Sequence, residues 1–190
     1  MVTSRLEEAL ARIDAVNAED PRRDRGEPSE LVYAQRMTGW LERLAPDASE
    51  ELRLAVRAQH IARWRVPRER FPEGRAGYKR WRSECARMHA DVAGEILAEV
   101  GYEGAAVARV RTLLTKQRLA SDPEVQTLED VACLVFLEHT FAGFAEKHER
   151  DKLVEIVRKT WGKMSERGRA AAAGLALPPE LAAIVAEAVP

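Results

Sequence analysis

Arginine and histidine recur at helical spacing around residue 60. Arg57, His60 and Arg63 are each three residues apart, and Trp64 follows, so one helix would place all four on one face. Guanidinium groups bind phosphate or carboxylate through paired hydrogen bonds, and a cluster of them is costly unless an anion neutralises it. The spacing therefore predicts an anion site. The arginines that continue the pattern are Arg65, Arg68, Arg70 and Arg75.

The same cations allow two other interpretations. They could pair with the acidic remainder of the chain, because residues 53–87 hold eleven Lys or Arg against three Glu while the formal net charge is −1. The run from Tyr78 to Arg82 also mixes aromatic and basic side chains, which suits stacked bases. The near-neutral net charge argues against nucleic acid. We therefore favour an anionic or phosphorylated small molecule, with Trp81 or Trp161 as a stacking wall.

A second group of residues could carry acid/base or metal chemistry. His89 and Asp91 fall on one predicted helix, and Glu129 and Asp130 fall on another. Helical bundles build metal centres and acid/base pairs from side chains of different helices. The alternative is structural, since a buried Glu-Asp pair needs partners and an arginine would satisfy it. His60, His89 and Asp130 are the candidate catalytic residues, and a divalent metal is the candidate cofactor.

A third group lies near residue 160. Lys159 and Lys163 are four residues apart, on one helical face, with Trp161 between them. Ammonium groups at this spacing can contact phosphate, although a solvated helix face explains them equally well. The full set of candidate ligand-binding residues is Arg57, Arg63, Arg68, Arg75, Trp81, Lys159, Trp161 and Lys163.

The elements that must position these residues are predicted to be helices. The chain has 31 alanines and only five isoleucines, and no segment alternates as a strand would. This pattern excludes the strand-dependent nucleotide-binding loops. Two cysteines are too few for a disulfide scaffold, and no apolar run is long enough to span a membrane. We expect a single all-α domain in the cytoplasm.

Capping signals divide the chain into predicted helices. Ser4 with Glu7 forms a capping box, Ser29 is an N-cap, Gly101 is a left-handed C-cap, and Asp122-Pro123 opens the sixth helix. The apolar run 131–137 predicts that this sixth helix is central. An arginine-rich loop is predicted over 65–77. The predicted helices cover 4–17, 30–44, 50–64, 78–100, 103–117, 122 to beyond 137, and 151–164, followed by two short alanine-rich helices within 165–190.

Several short sequence motifs of this chain together resemble those of the domain of unknown function 4202 family. The resemblance covers roughly residues 6–168, and it implies an all-helical protein without bringing an established activity. The motifs that carry it are Arg57–Trp64, Pro67-Arg68, Phe71-Pro72, Gly74–Tyr78, Trp81-Arg82, His89-Ala90, Leu128–Asp130, Cys133–Glu138, Lys159–Trp161 and Lys163–Ser165.

A more distant similarity is to HD-type metal phosphohydrolases, which are also helical bundles. Their order of motifs resembles Val107–Lys116, Asp122-Pro123 and Asp130 here. The chain differs from them in having Gln59-His60 where they have His-Asp. The position of their first histidine would fall near Tyr33 of this chain. The similarity implies an HD-like arrangement of about seven to nine helices. Of the residues that bind the metal in those enzymes, only Asp130 has a counterpart of the same type here. His60 would be an imidazole at a shifted position.

The favoured function is recognition of a phosphorylated small molecule or nucleotide, with hydrolysis by a degenerate HD-like phosphohydrolase as its extension. The alternative is a non-catalytic ligand- or partner-binding module, which the broken His-Asp pair favours. A third hypothesis is an RNA-binding accessory protein. If the anion site is correct, His60, Arg63, His89 and Asp130 should converge on one cleft.

Overall fold

A computed structural model describes residues 3–117, 119 and 121–189, and it is helical almost throughout. Over the described ranges the strands are confined to a short hairpin, β1 (Arg23–Asp24) paired with β2 (Glu27–Pro28). The all-α prediction is confirmed. The helices are α1 (Arg5–Ala18), α2 (Ser29–Leu44), α3 (Glu50–Arg57), α4 (Gly74–Val100), α5 (Gly104–Leu114), α6 (Pro123–Val135), α7 (Phe141–Ala145), α8 (Arg150–Trp161), α9 (Glu166–Ala173) and α10 (Pro179–Ala188).

Helix α6 is the centre of the hydrophobic core. It packs against α2, α3, α5 and α9. Leu128, Val131 and Leu134 on this helix are completely buried. The run 131–137 is apolar on all sides and must be surrounded by other helices, so the central position follows from the sequence.

None of the helices formed by the described residues has both the length and the apolar composition needed to cross a lipid bilayer.

Local capping signals are confirmed where they were strongest. The Ser4 hydroxyl accepts a hydrogen bond from the Glu7 backbone N–H at 3.2 Å, and the Glu7 carboxylate accepts one from the Ser4 N–H at 2.7 Å. Gly101 ends α4 with a φ of +89°. Asp122 caps α6 by accepting from the Glu124 N–H at 3.0 Å. These positions satisfy the free N–H and C=O groups at helix ends.

Two predicted boundaries were wrong around the arginine-rich segment. Helix α3 ends at Arg57 instead of continuing to Trp64, because the chain turns over residues 58–62 and Ala62 takes a left-handed φ of +54°. The predicted loop contains two short 3₁₀ turns, Arg63–Arg65 and Arg68–Arg70. Helix α4 then begins at Gly74, four residues before the predicted start.

Two further corrections concern the ends of α2 and α6. Pro28, not Ser29, is the N-cap of α2, because the Ser29 N–H already bonds the carbonyl of Arg22 across the hairpin at 3.0 Å. The helical run after Pro123 is broken by a π-helical turn at Phe136–Thr140, after which α7 begins. The described residues form ten helices, in keeping with the expected number of about seven to nine.

Candidate functional site

A cleft of about 440 Å³ opens between the turn after α3, the middle of α4 and the turn after α5. Four cationic side chains line it: Arg63, Arg82, Arg87 and Lys116. Among the described residues that line the cleft there is no carboxylate. The remaining lining residues are Gln59, His60, Ser83, Cys85, Ala86, His89, Leu114, Thr115 and Gln117.

His60 is held between an aromatic ring, a carboxylate and a guanidinium. Its ring stacks on Tyr33 with the centroids 4.0 Å apart and the planes 11° from parallel. Its Nδ1 lies 3.4 Å from the Glu30 carboxylate, and its Nε2 accepts from the Arg63 guanidinium. Burial, with the positive charges of Arg63 and Lys116, lowers the pKa of His60 well below 6.5. The imidazole is therefore neutral at physiological pH.

Glu30 at the start of α2 belongs to a buried network beside this ring. It is almost fully buried and accepts a hydrogen bond from Arg22 at 2.5 Å. Its backbone N–H donates to Asp20, which is completely buried, at 3.1 Å. Burial raises the pKa of Glu30, although Arg63 and Arg22 oppose that shift. The Glu30 carboxylate, 3.4 Å from Nδ1, thus fixes the position of the His60 ring.

His89 on α4 approaches the same cleft from the opposite wall. Its ring centroid lies 5.9 Å from that of His60. Its Nδ1 lies 2.7 Å from the carbonyl oxygen of Ile61, which the left-handed Ala62 helps to present. Burial, followed by the neighbouring His60, lowers the pKa of His89 to about 3. Two neutral imidazoles therefore share this cleft.

Lys116 reaches the cleft because α5 ends earlier than predicted. The helix stops at Leu114, and Lys116 takes a left-handed φ of +52°. Its ammonium pairs with the buried carboxylate of Glu129 on α6, and Lys163 lies 3.5 Å from the other oxygen of Glu129. Burial raises the pKa of Glu129, but Lys116 and Lys163 outweigh it and the net shift is downward. The predicted arginine partner of Glu129 is thus replaced by two lysines.

Asp130 does not line the cleft. Its carboxylate accepts hydrogen bonds from the Ser165 N–H at 2.8 Å, the Ser165 hydroxyl at 2.5 Å and the Gln126 amide at 3.0 Å. Ser165 is the N-cap of α9, and a Cβ on Gly168 would lie 2.6 Å from the Asp130 carboxyl carbon. Asp130 therefore ties α6 to the first turn of α9. Of the four residues expected to converge, the cleft brings together His60, Arg63 and His89 only.

Comparison with known protein families identifies the family of this chain. The family model described as domain of unknown function (DUF4202) matches residues 7–185. The chain belongs to this family. All the lining residues of the cleft fall inside the matched range. Comparisons with the curated proteins and with the solved structures found no match.

Two arginines that the sequence favoured as ligands have structural partners in this DUF4202 domain. Arg57 forms a paired hydrogen bond with Asp14, at 2.6 and 2.5 Å, which joins α3 to α1. Arg68 donates to the carbonyl oxygens of Phe71 at 2.8 Å and Pro72 at 3.0 Å. Both guanidiniums hold the fold around the cleft, and neither lines it.

The other candidates lie around the cleft or away from it. Trp81 supports the site indirectly, because the Arg63 guanidinium lies 4.6 Å above its ring and its indole N–H donates to Val66 O at 2.8 Å. Lys159 is exposed and pairs with Glu155 on its own helix. The remaining candidates, none of which lines the cleft, are Arg75, Trp161 and Lys163.

Sequence reasoning did not select Arg82 and Lys116 as ligand-binding residues. Arg82 precedes His89 by seven residues, which is two helical turns, so their shared face was a usable signal. Lys116 had no such signal, since its position depends on a left-handed turn that non-glycine residues rarely adopt. Tyr33 and Glu30, which contact His60, both lie on α2. They meet His60 only through the tertiary fold.

Replacing Asp130 with asparagine is expected to lower the free energy of unfolding by about 1–3 kcal/mol, because the lost charge accepts two hydrogen bonds from Ser165 at the start of α9 and one from Gln126 on α6. Urea denaturation of the folded variant measures the loss. Asp47→Asn, at an exposed position, is the matched control and should change stability by less than about 0.5 kcal/mol. Equal stability of the two variants would contradict the structural role of Asp130.

Proposed function

We propose that the cleft binds the phosphate group of a small molecule or nucleotide. The observation that carries the proposal is that Arg63 and Arg82 both line it and that, over the described part of the chain, neither guanidinium forms an ion pair. Arg63 contacts a neutral imidazole and a tryptophan ring instead. Two guanidiniums without a direct ion pair at one concave surface repel each other, and a bound dianion would offset that cost with charge-assisted hydrogen bonds.

The rest of the lining supports an anion of small-molecule size. Lys116 and Arg87 add positive potential, although each is already paired with a carboxylate outside the lining. Ser83 adds a hydroxyl group that can donate to phosphate oxygens. A volume of about 440 Å³ lies in the range of small-molecule sites, which favours a metabolite over an acidic protein surface.

Metal-dependent hydrolysis, the extension implied by the HD-type resemblance, does not fit these side chains. In the part of the chain that is described, no three His, Cys, Asp or Glu residues are arranged to hold a metal ion. The carboxylate of Asp130 is occupied by the first turn of α9, and His60 is flanked by Arg63 and the charge of Lys116. A metal cation beside the positive charges of Arg63 and Lys116 would be electrostatically disfavoured. The proposal is therefore binding, which corresponds to the non-catalytic module.

Arg63→Ala and Arg82→Gln are each expected to weaken the binding of inorganic phosphate and of adenosine monophosphate about tenfold or more. A hydrogen bond to a charged group contributes about 1.5–3 kcal/mol, and 1.4 kcal/mol corresponds to a factor of ten in Kd. Isothermal titration calorimetry at constant ionic strength measures the two affinities on the wild type and both variants.

Arg75→Gln is the matched control, because Arg75 is exposed on the same helix as Arg82 but lies outside the cleft. It removes the same charge and should change either affinity less than about twofold, since exposed charges are screened. Equal losses in all three variants would show that only net charge matters. A wild type that binds neither probe would refute the proposal, and tighter binding of single-stranded RNA than of the mononucleotide would favour the RNA alternative.

A further inference from the structure

The Nε2 of His89 is a buried polar atom in the lining of the cleft. The residue is 4% exposed, and its Nδ1 lies 2.7 Å from the backbone carbonyl oxygen of Ile61. A carbonyl can only accept a hydrogen bond, so the proton of the neutral imidazole must be on Nδ1. Nε2 is then a bare acceptor. It is buried and has no hydrogen-bond partner among the described residues.

Gln59 provides a second acceptor in the same lining. It is 8% exposed, and its side-chain carbonyl oxygen is also buried without a partner in the described structure. Gln59 lies in the turn after α3, two residues before the carbonyl that holds His89. Buried polar atoms in folded proteins are almost always hydrogen-bonded, so two unpartnered acceptors in one cleft point to a bound donor.

The phosphate group of an ester cannot be that donor. The dianion of a phosphate monoester carries only acceptor oxygens, which suit Arg63, Arg82 and Lys116 and repel the lone pairs of Nε2 and of the Gln59 oxygen. The cleft therefore presents two kinds of groups to one ligand. Its cations can bind an anion, and its neutral acceptors can accept hydrogen bonds from O–H or N–H groups.

From this we infer that the ligand of the cleft is a phosphorylated sugar or polyol, with a hydroxyl group donating to His89 Nε2 and its phosphate held by Arg63 and Arg82. The inference rests on the proposed phosphate site and adds the chemistry of the group attached to the phosphate. The ribose of a nucleotide satisfies it as well as a free sugar phosphate does, because both supply vicinal hydroxyls next to a phosphate ester.

His89 acts in this inference as a recognition group and not as a base. Its pKa of about 3, caused by burial and by the neighbouring His60, makes the imidazole a weak proton acceptor near neutral pH. The same shift keeps Nε2 free of a proton, so it remains an acceptor over the whole physiological range.

The test compares phosphate esters that differ only in hydroxyl groups. Ribose 5-phosphate, glycerol 3-phosphate and adenosine monophosphate are titrated beside propyl phosphate and inorganic phosphate, on the wild type, His89→Phe and Gln59→Met. We expect at least one hydroxylated ester to bind the wild type about tenfold or more tightly than propyl phosphate, since an acceptor left without its donor is costly. In both variants this ratio should fall towards one.

The outcomes separate this inference from the proposed function. If propyl phosphate binds as tightly as every hydroxylated ester, the phosphate site stands and the hydroxyl inference is overturned. If no ester binds the wild type, both fail together. Gln59→Met removes an acceptor without breaking any hydrogen bond given to that side chain in the structure, so it decides the matter should His89→Phe not fold.

Discussion

Truncating Leu134 to alanine is expected to lower the free energy of unfolding by about 2–5 kcal/mol. Leu134 is completely buried in α6, which is enclosed by α2, α3, α5 and α9. Removing three carbons there loses their transfer free energy and leaves a cavity that four surrounding helices cannot easily close. Urea denaturation, with its midpoint and slope compared to the wild type, measures the loss.

Leu10→Ala is the matched control for this prediction. Leu10 lies on α1 and is only partly buried against the core, so the same chemical change should cost about 1 kcal/mol or less. Losses of similar size at the two positions would mean that α6 is no more central than α1, and the architecture described above would be wrong.

The parts of the fold that follow from sequence are those set by neighbours along the chain. The Ser4–Glu7 capping box, the glycine at 101 and the Asp122-Pro123 helix start are each complete within four residues, and each was predicted correctly. The end of α3 could not be predicted in this way. Ala62 is a strong helix former by intrinsic propensity, yet it takes a left-handed conformation there. Burial of the turn around it, with Ile61 completely buried, overrides that propensity.

The site shows the same division between local and tertiary information. The cationic character of residues 53–87 predicted an anion site, and it placed His60 and Arg63 in one cluster, where the structure also has them. Which arginines line the cleft and which stabilise the fold depends on the residues that each one contacts in the folded protein. Arg57 meets Asp14 across 43 residues of sequence, and no spacing rule reports such a contact. Asp130 was misplaced for the same reason, because its partner Ser165 is 35 residues away.

The two cleft histidines are expected to make the protein less stable as the pH falls below about 6.5. In the unfolded chain both imidazoles take up a proton near that pH. In the folded protein His89 does so only near pH 3, and His60 well below 6.5, because burial and neighbouring positive charge oppose protonation. The unfolded state therefore binds more protons across this window. This contribution to stability is present above pH 6.5 and is lost as the pH falls below it, by about 1.4 kcal/mol per pH unit for each imidazole that stays neutral in the folded protein.

The readout is the difference in slope between variants, since other groups near the rings also titrate. Burial raises the pKa of Glu30, which gives a contribution of the opposite sign, whereas the lowered pKa of Glu129 adds loss at more acidic pH. His60→Phe and His89→Phe should each remove about one proton from the slope of unfolding free energy against pH. Gln59→Met changes packing in the same cleft without a titrating group and should shift the whole curve while keeping its slope. A slope unchanged by both histidine replacements would mean that the imidazoles are already protonated in the folded protein, and Nε2 of His89 would then be a donor instead of the acceptor on which hydroxyl recognition depends.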